Sequence, residues 1–259
     1  METVRITQKY SVLVLKSLFG FALLISTAQT AMAVTATQLT TLELYNRDDD
    51  MGSYYSHSKS YPESFTDVNG TIFFTQDNAF SGRELWKTDG TEAGTVLVKD
   101  IYPGANSSSP GHFTNVNGTL FFTATTSTKG RELWKSDGTE AGTVLVNDIY
   151  PGSKGSFNQY HQPYELPTNV NGTLFFAANR TSAGVELWKS DGTEAGTVLI
   201  KFFERGTSYS SLTELTNVNG TVYFIAYTSA AGYELWKTDG TEAGTVLIKD
   251  INPGTAYSY

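Results

Sequence analysis

The 259-residue chain contains no cysteine. Disulfides, thiolate metal sites and thiol redox chemistry are therefore excluded by composition. Positive charge is scarce as well. Eighteen Lys and Arg stand against 26 Asp and Glu, a net charge of −8, the wrong sign for an extended footprint on nucleic-acid phosphates. Long apolar runs are nearly missing. The most pronounced, LFGFALLI at Leu18–Ile25, falls well short of the ~20 residues that span a bilayer as a helix. The sequence has no H-E-x-x-H, G-x-S-x-G or P-loop pattern, so the common zinc-protease, serine-hydrolase and nucleotide-binding signatures are lacking too.

The one apolar run sits in a recognisable setting. Arg5, Lys9 and Lys16 surround its approach, and Ala31-Met32-Ala33 follows it. This order predicts a secretory signal over residues 1–33, cleaved after Ala33, with an uncleaved membrane anchor as the alternative. Removing residues 1–33 takes away three cations and one carboxylate and leaves 226 residues at a net charge of −10. The expected location is secreted, extracellular or at the cell surface, with the periplasm as a further option. A chain of that length can build a core without cross-links.

What the sequence does have is repetition. The string ELWK[ST]DGTEAGTVL[VI] begins at Glu84, Glu132, Glu186 and Glu234. It carries every tryptophan of the chain: Trp86, Trp134, Trp188 and Trp236, spaced by 48, 54 and 48 residues. A second motif, VNGT followed by two or three large apolar residues, precedes each copy at Val68, Val116, Val170 and Val218. Within one period the letters spell four strands. HFTNV and TLFFTAT flank Asn117-Gly118, the dipeptide favoured where a two-residue hairpin needs positive φ at both central positions. RELWKS and TVLVNDI flank the DGTEAG turn, and no helical period appears. Both strand faces carry large apolar residues, as sheets covered on both sides require. The prediction is an all-β fold: a β-propeller of four four-stranded antiparallel blades, either closed or an open ring. Its divisions are 1–33 (signal), 34–63 (N-terminal strand and connector) and 64–259 (propeller). The repeats fall at about 64–111, 112–164, 165–210 and 211–259. A weak copy of the fourth strand at Thr41–Ser53 would leave five outer strands for four blades. A ring with a surplus strand is favoured over an open arc belonging to a larger assembly.

The repeated acids read as architecture. Asp89, Asp137, Asp191 and Asp239 fit turns in which the carboxylate accepts backbone N–H groups. With no acidic companion two residues on, they make a poor calcium loop. Glu84, Glu132, Glu186 and Glu234 recur with every blade and are expected to pair with neighbours such as the adjacent Lys. The Trp of each ELW is expected to pack between blades. No catalytic residue, metal ligand set or cofactor is nominated. Asn-Gly-Thr also spells a glycosylation sequon at each hairpin, which the turn itself explains.

These segments resemble the ELWxxDGT repeat family, found in secreted bacterial proteins and often in large surface proteins. Glu84, Leu85, Trp86, Asp89, Gly90 and Thr91, and their equivalents in the later copies, carry the resemblance over about Ser64–Gly254. The resemblance implies export and a repeat architecture, and transfers no reaction. The third copy departs from it, with KFFERG at Lys201–Gly206 where the others read DI-x-PG.

Function should lie where the copies differ. The NG and DGTEAG turns fall on one face of a propeller and are nearly uniform. The remaining loops fall on the other face and vary, and variable loops on a fixed scaffold are where ligands are usually met. The connectors there hold Tyr54, Tyr55, His57, Tyr61, His112, Tyr160, His161, Tyr164 and Tyr209. These aromatics and histidines are candidates for stacking on sugar rings or holding a peptide. A three-histidine metal site would require convergence of loops from different blades. The leading expectation is a non-enzymatic exported protein binding a glycan or surface protein, with no nucleic-acid partner. An extracellular polysaccharide hydrolase is the alternative, and a structural surface or matrix component a second one. Open blade edges would offer self-association.

Overall fold

A computed structural model describes the backbone of residues 3–6, 12–17, 20–27, 30–35 and 204, and both backbone and side chains of residues 61–157, 166–180, 184–203, 212–251 and 253. The described residues are all-β. Among them no helix is long and apolar enough to cross a membrane. Strands β1 (Thr3–Ile6), β2 (Val12–Ser17), β3 (Gly20–Thr27) and β4 (Thr30–Thr35) form a meander of their own, lying in the segment read as a signal except for the last two residues of β4.

Four blades follow, each a meander of four antiparallel strands. Blade 1 is β5 (Glu63–Val68), β6 (Thr71–Asn78), β7 (Gly82–Thr88) and β8 (Val96–Lys99). Blade 2 is β9 (Gly111–Val116), β10 (Thr119–Thr126), β11 (Gly130–Ser136) and β12 (Val144–Asn147). Blade 3 is β13 (Thr168–Val170), β14 (Thr173–Ala178), β15 (Gly184–Ser190) and β16 (Val198–Glu204). Blade 4 is β17 (Leu212–Val218), β18 (Thr221–Thr228), β19 (Gly232–Thr238) and β20 (Val246–Lys249). The first strands of successive blades touch one another and so lie innermost. Each first hairpin turns on Asn-Gly with both residues at positive φ, 50° and 85° at Asn117 and Gly118, the conformation that this dipeptide favours.

Three seams hold the blades face to face. In the first, Val68, Phe73, Leu85 and Val98 of blade 1 meet Leu120, Phe122, Ala124 and Trp134 of blade 2. The second and third repeat this pairing with Trp188 and Trp236. Strand alternation explains it. Leu120, Phe122 and Ala124 point to one side of β10 and Phe121 to the other, so a blade needs apolar residues on both sides. In blade 3 the KFFE exit lengthens the last strand to seven residues. Phe203 then enters the third seam, with its ring 5.2 Å from that of Trp236.

Polar bonds tie the same seams. Lys87, Lys135 and Lys189 each donate from Nζ to the DGT-turn glycine carbonyl of the next blade, at 2.7, 2.8 and 2.9 Å. Asn115, Asn169 and Asn217 each donate from Nδ2 to the corresponding carbonyl of the preceding blade, at 3.0–3.1 Å.

The ring expected from the strand count is not closed. Val218, Leu235 and Ile248 of blade 4 are 48, 39 and 43% exposed, while Val116, Leu133 and Val146 at the same positions of blade 2 are 5, 1 and 5% exposed. Among the described residues nothing covers this face of blade 4, and the four described blades form an open arc. The proposed extra strand at Thr41–Ser53 lies outside the described residues.

Candidate functional site: the variable face

The two faces of the arc are built differently. On the uniform face each DGT turn is closed by its own side chains. Asp137 Oδ1 accepts from the backbone N–H and the hydroxyl of Thr139, at 2.8 and 2.7 Å, and Thr139 Oγ1 accepts from Gly142 N at 2.9 Å. Asp89, Asp191 and Asp239 do the same in their own blades. The threonine hydroxyl first, and the backbone N–H second, hold all four carboxyls below the usual carboxylate range. One oxygen of each carboxylate is thus committed to its turn.

On the opposite face the repeated glutamates act as anchors. Glu84 accepts from Ile101 N at 3.0 Å, Ser108 N at 2.8 Å and Ser108 Oγ at 2.5 Å. Glu132 accepts from Ile149 N, Tyr150 N and Ser156 Oγ at 3.1, 3.2 and 2.6 Å. For Glu84 and Glu132 the expected pairing with the adjacent lysine does not occur. The lysine side chain emerges on the other side of the strand and crosses to the next blade. Each anchored connector also stitches blades together, since Ser108 O accepts from Thr125 N and Ser156 O from Asn179 N, both at 2.8 Å. Blade 3 differs. Glu186 there takes the Arg180 guanidinium at 3.2 Å and the Trp188 indole N–H at 3.3 Å.

Burial pushes the carboxyls of Glu84 and Glu132 up to about 7, against the hydrogen bonds they accept. Such a value would suit a general acid. Both side chains are nonetheless buried beneath connectors, and the arrangement occurs twice. It is a fastening for the connectors.

One connector lies so close to its strand that a glycine becomes obligatory. Gly130 sits at φ 63°, and a Cβ there would run into the backbone of Lys154 and Gly155. Gly130→Ala is expected to cost about 2 kcal/mol or more, because two backbones must part as well as a strained φ be held. Gly104→Ala, at φ 86° with open space around it, should cost only about 1 kcal/mol, from φ alone. Chemical denaturation of the two variants measures the difference.

Of the sequence-predicted binding residues, the structure describes Tyr61 and His112. Tyr54, Tyr55, His57, Tyr160, His161, Tyr164 and Tyr209 lie outside the described residues. Tyr61 is exposed. His112 is not a surface side chain. It occupies a bulge of β9 at φ 55°, is buried, bonds Thr123 Oγ1 through Nδ1 at 3.2 Å and packs against Phe157. The bulge turns it inward, which no feature of the letters around it announces.

Other residues shape this face. Phe80, at the tip of the β6–β7 loop, is 86% exposed. The Tyr227 and Tyr233 rings pair at 5.1 Å beside the corresponding loop of blade 4. Arg83 binds Glu63 and Asp77 at 2.8 and 3.1 Å. Arg131 bonds Thr123 Oγ1 and Ser109 O at 2.9 and 2.7 Å, and burial pushes its guanidinium down to about 10. The signal for the two arginines was present in the sequence. The residue before each ELW reads Arg, Arg, Val, Tyr across otherwise uniform copies. Among the described residues no three His, Asp or Glu side chains come together as a metal-binding group.

No protein-family model and no curated protein sequence matches the chain significantly. Solved structures do match. A puromycin-hydrolyzing peptidase of Mycobacterium tuberculosis is 11% identical at a TM-score of 0.51, over 96% of this chain and 37% of that one. A puromycin hydrolase is 14% identical at 0.48, over 72% of this chain and 28% of that one. TolB from Acinetobacter baumannii is 10% identical at 0.44, over 92% of this chain and 50% of that one. The chain thus spans half or less of the length of these structures, and what it shares with the peptidase is fold.

Proposed function

We propose that the chain is an exported, non-enzymatic repeat protein of the ELWxxDGT type that binds a glycan or a surface protein through its variable face. The asymmetry between the two faces carries this reading. One face repeats a single self-satisfied turn four times. The other presents a different set of side chains on each described blade, including the exposed aromatics Tyr61 and Phe80. Aromatic rings on a fixed, polar scaffold suit sugar rings and peptide side chains alike. The basic approach and small-x-small site within residues 1–33 support export.

A glycan-array screen of the purified protein, with turnover of the same sugars assayed in parallel, tests this reading. Retained binding without turnover is the expected result. Phe80→Ala should weaken binding about tenfold while leaving the unfolding midpoint unchanged. Turnover abolished by replacement of a single carboxylate would establish a hydrolase instead.

A further inference from the structure

The seams show that each blade has a donor side and a receiver side, and the arc ends with one of each uncovered. We infer that the open face of blade 4 receives blade 1 of a second copy, head to tail. On the three internal seams the leading blade contributes the VNG valine, the ELW leucine and the lysine of ELWK. The following blade answers with Trp, a Leu from its last strand and the glycine carbonyl of its DGT turn. Blade 4 presents the leading set uncovered, with Val218, Leu235, Lys237 and Ile248 all exposed. Blade 1 presents the answering set. Trp86 and Gly90 are only half-buried, whereas Trp134, Trp188 and Trp236 and glycines 138, 192 and 240 are buried; Leu97 is half-buried like its equivalents. Phe65 adds an exposed ring stacked on Phe74 at 5.7 Å. Both halves of the contact are carried by the same chain, so identical copies suffice to complete it. The contact is heterologous, and such contacts close into rings or run on as filaments. Two arcs of four blades would make a ring of eight, within the range that propellers use.

One residue departs from the pattern, and it makes the idea testable. The asparagine that donates across every internal seam is replaced in blade 1 by Asp67, whose Oδ1 accepts from Gly70 N at 2.8 Å. A carboxylate cannot donate to the Asn217 carbonyl of the neighbouring copy. The seam between chains therefore lacks a bond that each seam within the chain has, and it should be the weaker, concentration-dependent one. The contact lies through blade faces. The short outer strands, four residues long in blades 1, 2 and 4, offer little edge for pairing.

Sedimentation velocity of the full chain over about a hundredfold range of concentration tests the inference. The average mass is expected to rise from one chain toward two. Leu235→Asp, at an exposed site, and Lys237→Glu should each hold it at one chain, with unchanged circular dichroism and melting. Asp67→Asn should tighten association about fivefold by restoring one hydrogen bond. A mass of one chain at every concentration overturns the proposal, whether the face is left open, covered by the chain's own first blade or kept for a different protein. So does self-association that ignores all three substitutions.

Discussion

Replacing Trp134 by Ala is expected to cost the fold about 3–5 kcal/mol. The indole is 8% exposed and stands in the first seam between the apolar side chains of blades 1 and 2. Its Nε1 has no hydrogen-bond partner among the described residues, so the loss is one of packing and of the cavity left behind. The same motif supplies an internal control. Trp86 occupies the equivalent position at the end of the arc, is only half-buried, and should cost about 1–3 kcal/mol on replacement by Ala. Urea unfolding of the two variants reads both numbers. Because a seam is also the coupling between neighbouring blades, the Trp134→Ala transition should broaden as well as shift. A loss below about 1 kcal/mol at Trp134 would place the indole outside any seam.

The second large effect is on pH dependence. Burial raises the carboxyls of Glu84 and Glu132 from 4.5 to about 7 in the folded chain. Between those values the folded state holds more protons than the unfolded state. Stability must therefore fall as pH rises from about 4.5 to about 7, by on the order of 2–3 kcal/mol per carboxyl, and level off above. The turn aspartates act in the opposite sense. Their lowered values stabilise the fold above the ordinary aspartate pKa, and that contribution is lost as pH falls below it. The two trends place the stability maximum near pH 4–5, more acidic than is usual. Thermal melts across pH 3–8 check this window. Glu132→Gln should reduce the slope between pH 4.5 and 7 even where it lowers stability overall, since its amide cannot accept from both Tyr150 N and the donors at the other oxygen. A flat or rising profile between pH 5 and 7 would refute the burial of these acids.

The blades were legible in the sequence because each states its strands and turns in local terms. Asn-Gly fixes the first hairpin of each blade, DGTEAG the third connection, and two-sided apolar strands demand neighbours on both sides. The openness of the arc was not legible. Whether a last blade meets the first depends on the angle accumulated over three seams, which no single residue encodes. The site was only partly legible for a related reason. His112 has the look of a connector residue, but one bulge turns it into the interior. The partners of Glu84 and Glu132 are backbone N–H groups and one serine hydroxyl each, 17 to 24 residues away, and a backbone N–H leaves no trace in the letters. Arg83 and Arg131 were visible as variation inside a constant motif, which is the more informative place to look.

The stitching of the connectors after blades 1 and 2 has a consequence for how such a chain can grow. Each is anchored by the glutamate of the blade it leaves and bonded to the blade it enters, so the unit and its exit form one cassette. Duplicating a single 48-residue stretch of the gene would add a blade whose fastenings already match on either side. The two ends of the arc would stay as they were, and its length could drift in steps of one.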